Sequence, residues 1–313
     1  MAVFTSPISP PDDKQYRVGF RQRWSELRTL WHLAIRPIQG ADHASRLSHF
    51  YQGQAADYDS FRRRLLTGRR ELLDDLPIGP NDYWIDMGGG TGISVDLLGP
   101  RIHQLARFDI VDLCGPLLER ARKRVHASGL DGIVKVIDAD ATHFQPDRRP
   151  DVILFSYALT MIPDWYSALQ HAARLLAPHG RIAVVDFYVS RRYPTHPGAA
   201  THGWLTRTGW PAWFGLDNVW LSPDHLPVLH HYFSAERLIE SRAAVPYLPG
   251  LRVPVYRFIG TPRVDAMRDP GLLTVQSASE SNHAAARFRT VRLDGKAALD
   301  RECAAMSPEG VRE

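Results

Sequence analysis

The stretch Trp84–Gly92, WIDMGGGTG, runs from apolar residues into an aspartate and then places glycines at 88, 89, 90 and 92. An apolar run closing on Asp86 reads as a buried strand that ends in a carboxylate. The glycines after it let the chain turn sharply and bring its backbone close to a ligand at the N-terminus of the following helix. Such a loop belongs to a nucleotide-type site. A dinucleotide fingerprint requires G-x-G-x-x-G, and counting from Gly88 through Gly90 puts Ile93 in the third glycine slot, which weakens a nicotinamide reading.

Downstream, strand and helix signals alternate. Strands are expected at YWIDM (83–87), RFDIVDL (107–113), GIVKVIDAD (132–140), DVILFSY (151–157) and RIAVVDFYV (181–189). Helices are expected after Gly92, at GPLLERARKRVHAS (115–128) and at WYSALQHAARLLAP (165–178). This rhythm predicts an α/β fold, a Rossmann-like parallel sheet with helices on both faces. Residues 191–235 break it with Trp204, Trp210, Trp213 and Trp220 among Pro, Gly and His, and read as an insertion over the carboxyl edge of the sheet. Strand signals return at RLIESRAAVPY (237–247) and VPVYRFIGT (253–261).

Upstream, residues 1–43 read as a Pro-rich arm and an amphipathic helix, with Phe20, Trp24, Leu27 and Trp31 at helical spacing among arginines. A second helical block is expected from Ala44 to Asp75. The main domain is drawn at 44–262, and the tail at 263–313 reads as partly disordered.

The 313 residues suffice for one large domain with appendages. Cys114 and Cys303 cannot build a disulfide framework, and no Cys or His spacing suits a metal, so a reducing cytoplasm and no metal are expected. No apolar run approaches the roughly 20 residues needed to span a bilayer. A net charge of +4 is too weak to point to nucleic acid.

The loop Asp86–Gly92 resembles the D-x-G-x-G-x-G signature of class I S-adenosylmethionine-dependent methyltransferases. The resemblance implies that Asp86, Gly88, Gly89 and Gly90 cradle the cofactor. It implies that Asp112, with Leu113 beside it, accepts hydrogen bonds from the ribose hydroxyls. It places Asp140 on the adenine amino group, Ala141 as a backbone contact, and Ser156 at the start of the catalytic loop after the fourth strand. Helix capping is the rival role for Asp112 and for Asp140. Tyr58 and Arg62 lie on a helix that folds over the cofactor in related enzymes, Arg62 as partner of its carboxylate.

A narrower similarity runs from Ser45 to Gly260. The segments FYQGQAADYDSFRRRLLTGRRELL, VDLCGPLLERARKR, FSYALTMIPDWYSAL, VVDFYVS, LSPDHLP and VPYLPGLRVPVYRFIG resemble the BtaB-type methyltransferase of bacterial betaine-lipid synthesis. That family trimethylates the amine of diacylglycerylhomoserine. The implied acceptor is that amino lipid, met at a membrane surface by a peripheral enzyme on the inner face, with a homo-oligomer also allowed. Tyr157, Tyr188 and Asp186 stand at strand ends where an amine can be held toward the donor methyl group. Trp165 and Trp213 offer aromatic walls for the quaternary product, and His225 and Arg252 offer donors to the acceptor carboxylate. The alternatives are methylation of an ethanolamine lipid or a soluble amine, and a cofactor-binding partner subunit without catalysis.

Overall fold

β1 (Tyr83–Met87) is buried along its whole length, which is why it is apolar on both faces rather than alternating. In a computed structural model that describes residues 65–263, apart from 195–197, 217 and 246–249, this strand is an inner strand, third in order, of a seven-stranded sheet. The order is β3 (Val134–Asp138), β2 (Arg107–Asp112), β1, β4 (Val152–Ser156), β5 (Arg181–Phe187), β7 (Arg252–Pro262), β6 (Phe233–Ala244). The strand pairs from β3 across to β5 are parallel.

β7 runs antiparallel to both β5 and β6. The sheet is therefore mixed, where hydrophobic pattern alone predicted parallel strands. Periodicity carries no information on strand direction, and here a hairpin sends β7 back between β6 and β5.

The helices expected after β1, β2 and β4 form with small shifts at their ends, and two more stand in the insertion. α1 is Arg69–Asp74, α2 Ile93–Leu98, α3 Gly115–Ala127, α4 Trp165–Leu175, α5 Trp204–Gly215 and α6 His225–Tyr232. The block predicted as one helix through Asp75 is interrupted: Gly68 takes a left-handed conformation with φ 84°, and α1 begins after it. The insertion read at 191–235 holds α5 and α6 and ends inside β6, which starts at Phe233.

α3 shows how sequence becomes packing. Pro116 lies in its first turn, where a missing N–H costs nothing. Leu117, Leu118, Ala121 and Val125 then repeat at helical spacing and bury one stripe. Each fully buried large aliphatic side chain contributes about 1.5–3 kcal/mol. This anchors the helix whose N-terminus closes the ligand edge of the sheet.

Tyr58, Arg62, the amphipathic helix before residue 44 and the tail after 263 lie outside the described residues. Among the described residues, no helix is long and apolar enough to cross a membrane.

Candidate functional site

Parallel strands end together, so the loops after β1, β2, β3 and β4 meet at one edge. They enclose a cavity of about 360 Å³. Of the residues nominated from sequence, Asp86, Gly88, Gly89, Gly90, Asp112, Leu113, Asp140, Ala141, Ser156 and Tyr157 line it.

The glycine loop is pinned from below by backbone. Gly88 and Gly89 both donate to the Val111 carbonyl, at 2.8 and 3.2 Å. Gly88 has φ +71°, and a Cβ there would stand 2.7 Å from the Ala158 Cβ, so the β1 and β4 loops touch where only glycine fits.

Asp112 ties the loop to α3. Its Oδ2 accepts from the Gly90 N–H at 2.9 Å and its Oδ1 from the Cys114 N–H at 2.8 Å. The capping role and the ligand role coexist, because each carboxylate oxygen keeps a second lone pair for a sugar hydroxyl. Asp140 behaves similarly: its Oδ1 accepts from the Thr142 N–H at 2.8 Å and from the Thr142 hydroxyl at 2.6 Å, shaping the turn after β3.

Asp86 is almost fully buried and takes a 2.5 Å hydrogen bond from Ser94 Oγ on Oδ2. Burial pushes its carboxyl up to about 6; the Ser94 bond and the Arg69 charge pull the other way. Its Oδ1 is buried with no hydrogen-bond partner among the described residues. An acceptor left in this state at a cavity wall suits an ammonium group, such as the amino-acid end of S-adenosylmethionine. The residues thus fit that group: Asp86 for its amine, Asp112 for its ribose and the β3 loop for its base.

The raised carboxyl has a consequence for stability. Asp86 holds its proton to higher pH in the folded chain than in the unfolded one, so its contribution is full below about pH 4 and is lost as pH rises through about 6. Urea midpoints of the wild type and Asp86→Asn between pH 4 and 7 test this. The variant's stability relative to wild type is expected to improve as pH rises; parallel pH curves would refute it.

Tyr157 has φ 56°, a rare left-handed conformation for a non-glycine residue. Its ring forms cavity wall, but its hydroxyl donates to the Thr67 carbonyl at 2.6 Å. Burial raises its pKa, so the phenol stays protonated.

Asp186 and Tyr188, nominated as catalytic, do not line the cavity. Asp186 is fully buried and accepts from Thr160 N at 3.1 Å, Thr160 Oγ1 at 2.7 Å and Phe187 N at 2.8 Å, so it fastens the β4 loop from beneath. Burial pushes its carboxyl up to about 6 as well. The Tyr188 hydroxyl donates to Glu240 at 2.5 Å. Phe187, between them, packs on Tyr157 with ring centroids 4.7 Å apart. Neighbouring strand residues point to opposite faces, and position at a strand end did not reveal which one faced the ligand.

The four residues nominated for the acceptor also lie off this cavity. Trp165 packs edge-on to His225 at 4.7 Å. His225 is fully buried, and burial pushes its pKa down to about 3, so it is a neutral ring in the core rather than an anion donor. Trp213 is exposed on α5, and Arg252 is exposed at the start of β7.

Several cavity residues were not singled out from sequence. Ser94 sits in the first turn of α2, where a hydroxyl can reach back to the acid ending β1. Arg69 stands with its guanidinium 5.2 Å from the centroid of the Tyr157 ring; the arginine-rich run hid it. Met161 and Ile162 supply apolar wall, for which their place in a loop was the available signal.

The family described as Methyltransferase domain matches residues 58–240. Curated relatives include the ubiquinone/menaquinone biosynthesis C-methyltransferase UbiE of Enterobacter sp. (strain 638), 25% identical over 162 residues, which are 50% of this chain and 64% of that one. UbiE of Pseudoalteromonas translucida is 24% identical over 163 residues, with the same coverage. The chain thus spans 64% of the length of these relatives.

Among solved structures, the geranyl diphosphate C-methyltransferase of Streptomyces coelicolor A3(2), in complex with S-adenosyl-L-homocysteine, aligns with a TM-score of 0.53 at 14% identity, over 72% of this chain and 100% of that one. An N-methyltransferase 2 of Haemonchus contortus, with phosphomonomethylethanolamine and S-adenosylhomocysteine, aligns with a TM-score of 0.53 at 13% identity, over 72% and 61%. With the family match covering more than half of the sequence, the glycine loop and strand-end acids take their place in a known scheme: the chain belongs to the methyltransferase-domain family of S-adenosylmethionine-dependent, class I fold.

Proposed function

We propose that this protein is an N-methyltransferase that trimethylates the amine of diacylglycerylhomoserine, working peripherally at the inner membrane face. The observation that carries the nitrogen chemistry is the acid that the cavity keeps beyond those assigned to the cofactor, Asp164. Asp86, Asp112, Asp140 and Asp164 line it against Arg69 and Arg124, and Arg124 is paired with Asp96 at 2.9 Å. When bound, S-adenosylmethionine supplies a sulfonium methyl group. Methylation of an amine leaves an ammonium in place, and the Asp164 carboxylate at the cavity wall favours that cation. The Tyr157 ring, already faced by the Arg69 guanidinium, adds an aromatic surface that attracts positive charge. Met161 and Ile162 keep that end apolar and limit water. The choice of lipid is supported by the similarity of the segments between Ser45 and Gly260 to the betaine-lipid methyltransferases.

The relatives favour a second reading, methylation of carbon in a quinone precursor. Carbon nucleophiles of that kind react as phenolate-like anions, which Asp164 opposes. Incubation with labelled S-adenosylmethionine and either diacylglycerylhomoserine, an ethanolamine lipid or a demethylated quinone, followed by lipid separation, decides between them. The mono-, di- and trimethylated homoserine lipids are expected. Label confined to the quinone or the ethanolamine lipid would overturn the assignment.

A further inference from the structure

α5 buries one side and leaves the other bare. Phe214 is buried and Trp210 packs partly buried against the core, while Trp204, Leu205, Thr208, Gly209, Ala212, Trp213 and Leu216 are exposed on the opposite arc. That arc has no charged residue. Its large members are open to an unusual degree: Trp204 is 67% exposed, Leu205 76%, Trp213 47% and Leu216 67%, with Trp220 beyond the helix at 58%. Contiguous apolar surface of this kind marks an interaction face.

The charge around it indicates what it meets. Residues 191–216 contain Arg191, Arg192 and Arg207 and no aspartate or glutamate. Burial pushes the His202 pKa down, and Arg242 on β6 and Arg207 on α5 add to this against the pull of Glu240. Arg191 is neutralised by Asp224 at 2.7 Å, and Glu240 is held by Tyr188 and by the Ala200 N–H at 3.0 Å. A tryptophan- and leucine-bearing helix face with a basic flank fits the interface of an anionic bilayer, where indole rings settle at headgroup depth.

The helix is also fixed to the ligand cavity. A run of rings leads from Tyr157 in the cavity wall to Phe187 at 4.7 Å, Phe214 at 5.0 Å and Trp210 at 5.8 Å. At one end of the insertion, the Ser190 N–H donates to His202 Nδ1 at 2.9 Å, and the His202 N–H donates to Ser190 Oγ at 2.8 Å. At the other, the Trp220 N–H donates to the Thr160 carbonyl at 2.8 Å.

We infer that the outward face of α5 is the surface by which this protein docks on an anionic lipid leaflet, setting the cavity beside the membrane. Its use rests on the lipid-acceptor reading, and the test separates the two. The full chain is floated with vesicles of phosphatidylcholine containing about one third phosphatidylglycerol, and with phosphatidylcholine alone. The wild type is expected to bind the anionic vesicles at least 10-fold more strongly, with a blue-shifted tryptophan emission. The triple variant W204S/L205S/L216S is expected to lose at least 10-fold in vesicle binding, with unchanged melting temperature and unchanged affinity for S-adenosylhomocysteine.

Undiminished binding by the triple variant would overturn the inference, as would equal binding to uncharged vesicles. So would a wild type that ignores vesicles and forms a dimer that the triple variant does not, because a second copy would then be the occupant. Should docking depend on α5 while no homoserine lipid is methylated, the docking surface stands and the acceptor assignment falls.

Discussion

Asp112→Ala is expected to weaken binding of S-adenosylhomocysteine by at least about 100-fold. The carboxylate stands at the end of β2, lines the cavity and holds Gly90 and Cys114 by their N–H groups. Two hydrogen bonds from ribose hydroxyls to a charged acceptor are worth about 1.5–3 kcal/mol each, and either one near the upper figure accounts for that loss. The backbone donors that lose Asp112 lie at a partly wet rim, so stability should fall by only about 1 kcal/mol. Titration calorimetry beside a thermal melt separates the roles. A lowered melting temperature with intact affinity would reduce Asp112 to a clasp for the loop.

Gly88→Ala should do greater harm to the fold. A left-handed φ costs an alanine roughly 1–2 kcal/mol. The new Cβ would also stand 2.7 Å from the Ala158 Cβ, and neither atom ends a flexible side chain that can swing aside. The loops after β1 and β4 must then part. A total destabilisation of about 2–4 kcal/mol is expected, with a loss of about 100-fold in kcat/KM from displaced walls. Gly129→Ala is the control: its φ is +64°, but a Cβ there meets nothing within 4 Å. It should cost only the backbone strain and leave cofactor affinity alone. If both variants melt and bind alike, contact between the two loops is not what requires glycine at 88.

Much of this architecture is legible in the sequence because the central strands are buried on both faces and read as unbroken apolar runs. Each ends in a residue whose place on the carboxyl edge follows from a parallel sheet. Hence Asp86, Asp112, Asp140 and Ser156 fall beside one cavity. Legibility fails where a different physical rule decides. β6 starts at Phe233, earlier than its pattern suggests, because most of its residues are exposed or half-buried and show no apolar run. Asp186 and Tyr188 were nominated from a strand end, but only geometry shows that Asp186 turns to Thr160 and Tyr188 to Glu240. Trp165 and His225 are far apart in sequence, and their edge-on packing could not be read from either. Arg69 was lost among neighbouring arginines, whose usual fate is a solvated face.

Thr160 gives its N–H and hydroxyl to Asp186 and its carbonyl to Trp220. A single residue thus joins the loop after β4 to the far end of the insertion. Whatever shifts the rim of the chamber must tug the far end of the tryptophan-bearing segment, and pressure on that segment must be felt at the rim. Under the docking proposal, contact of that segment with a leaflet would reach the chamber through this one residue.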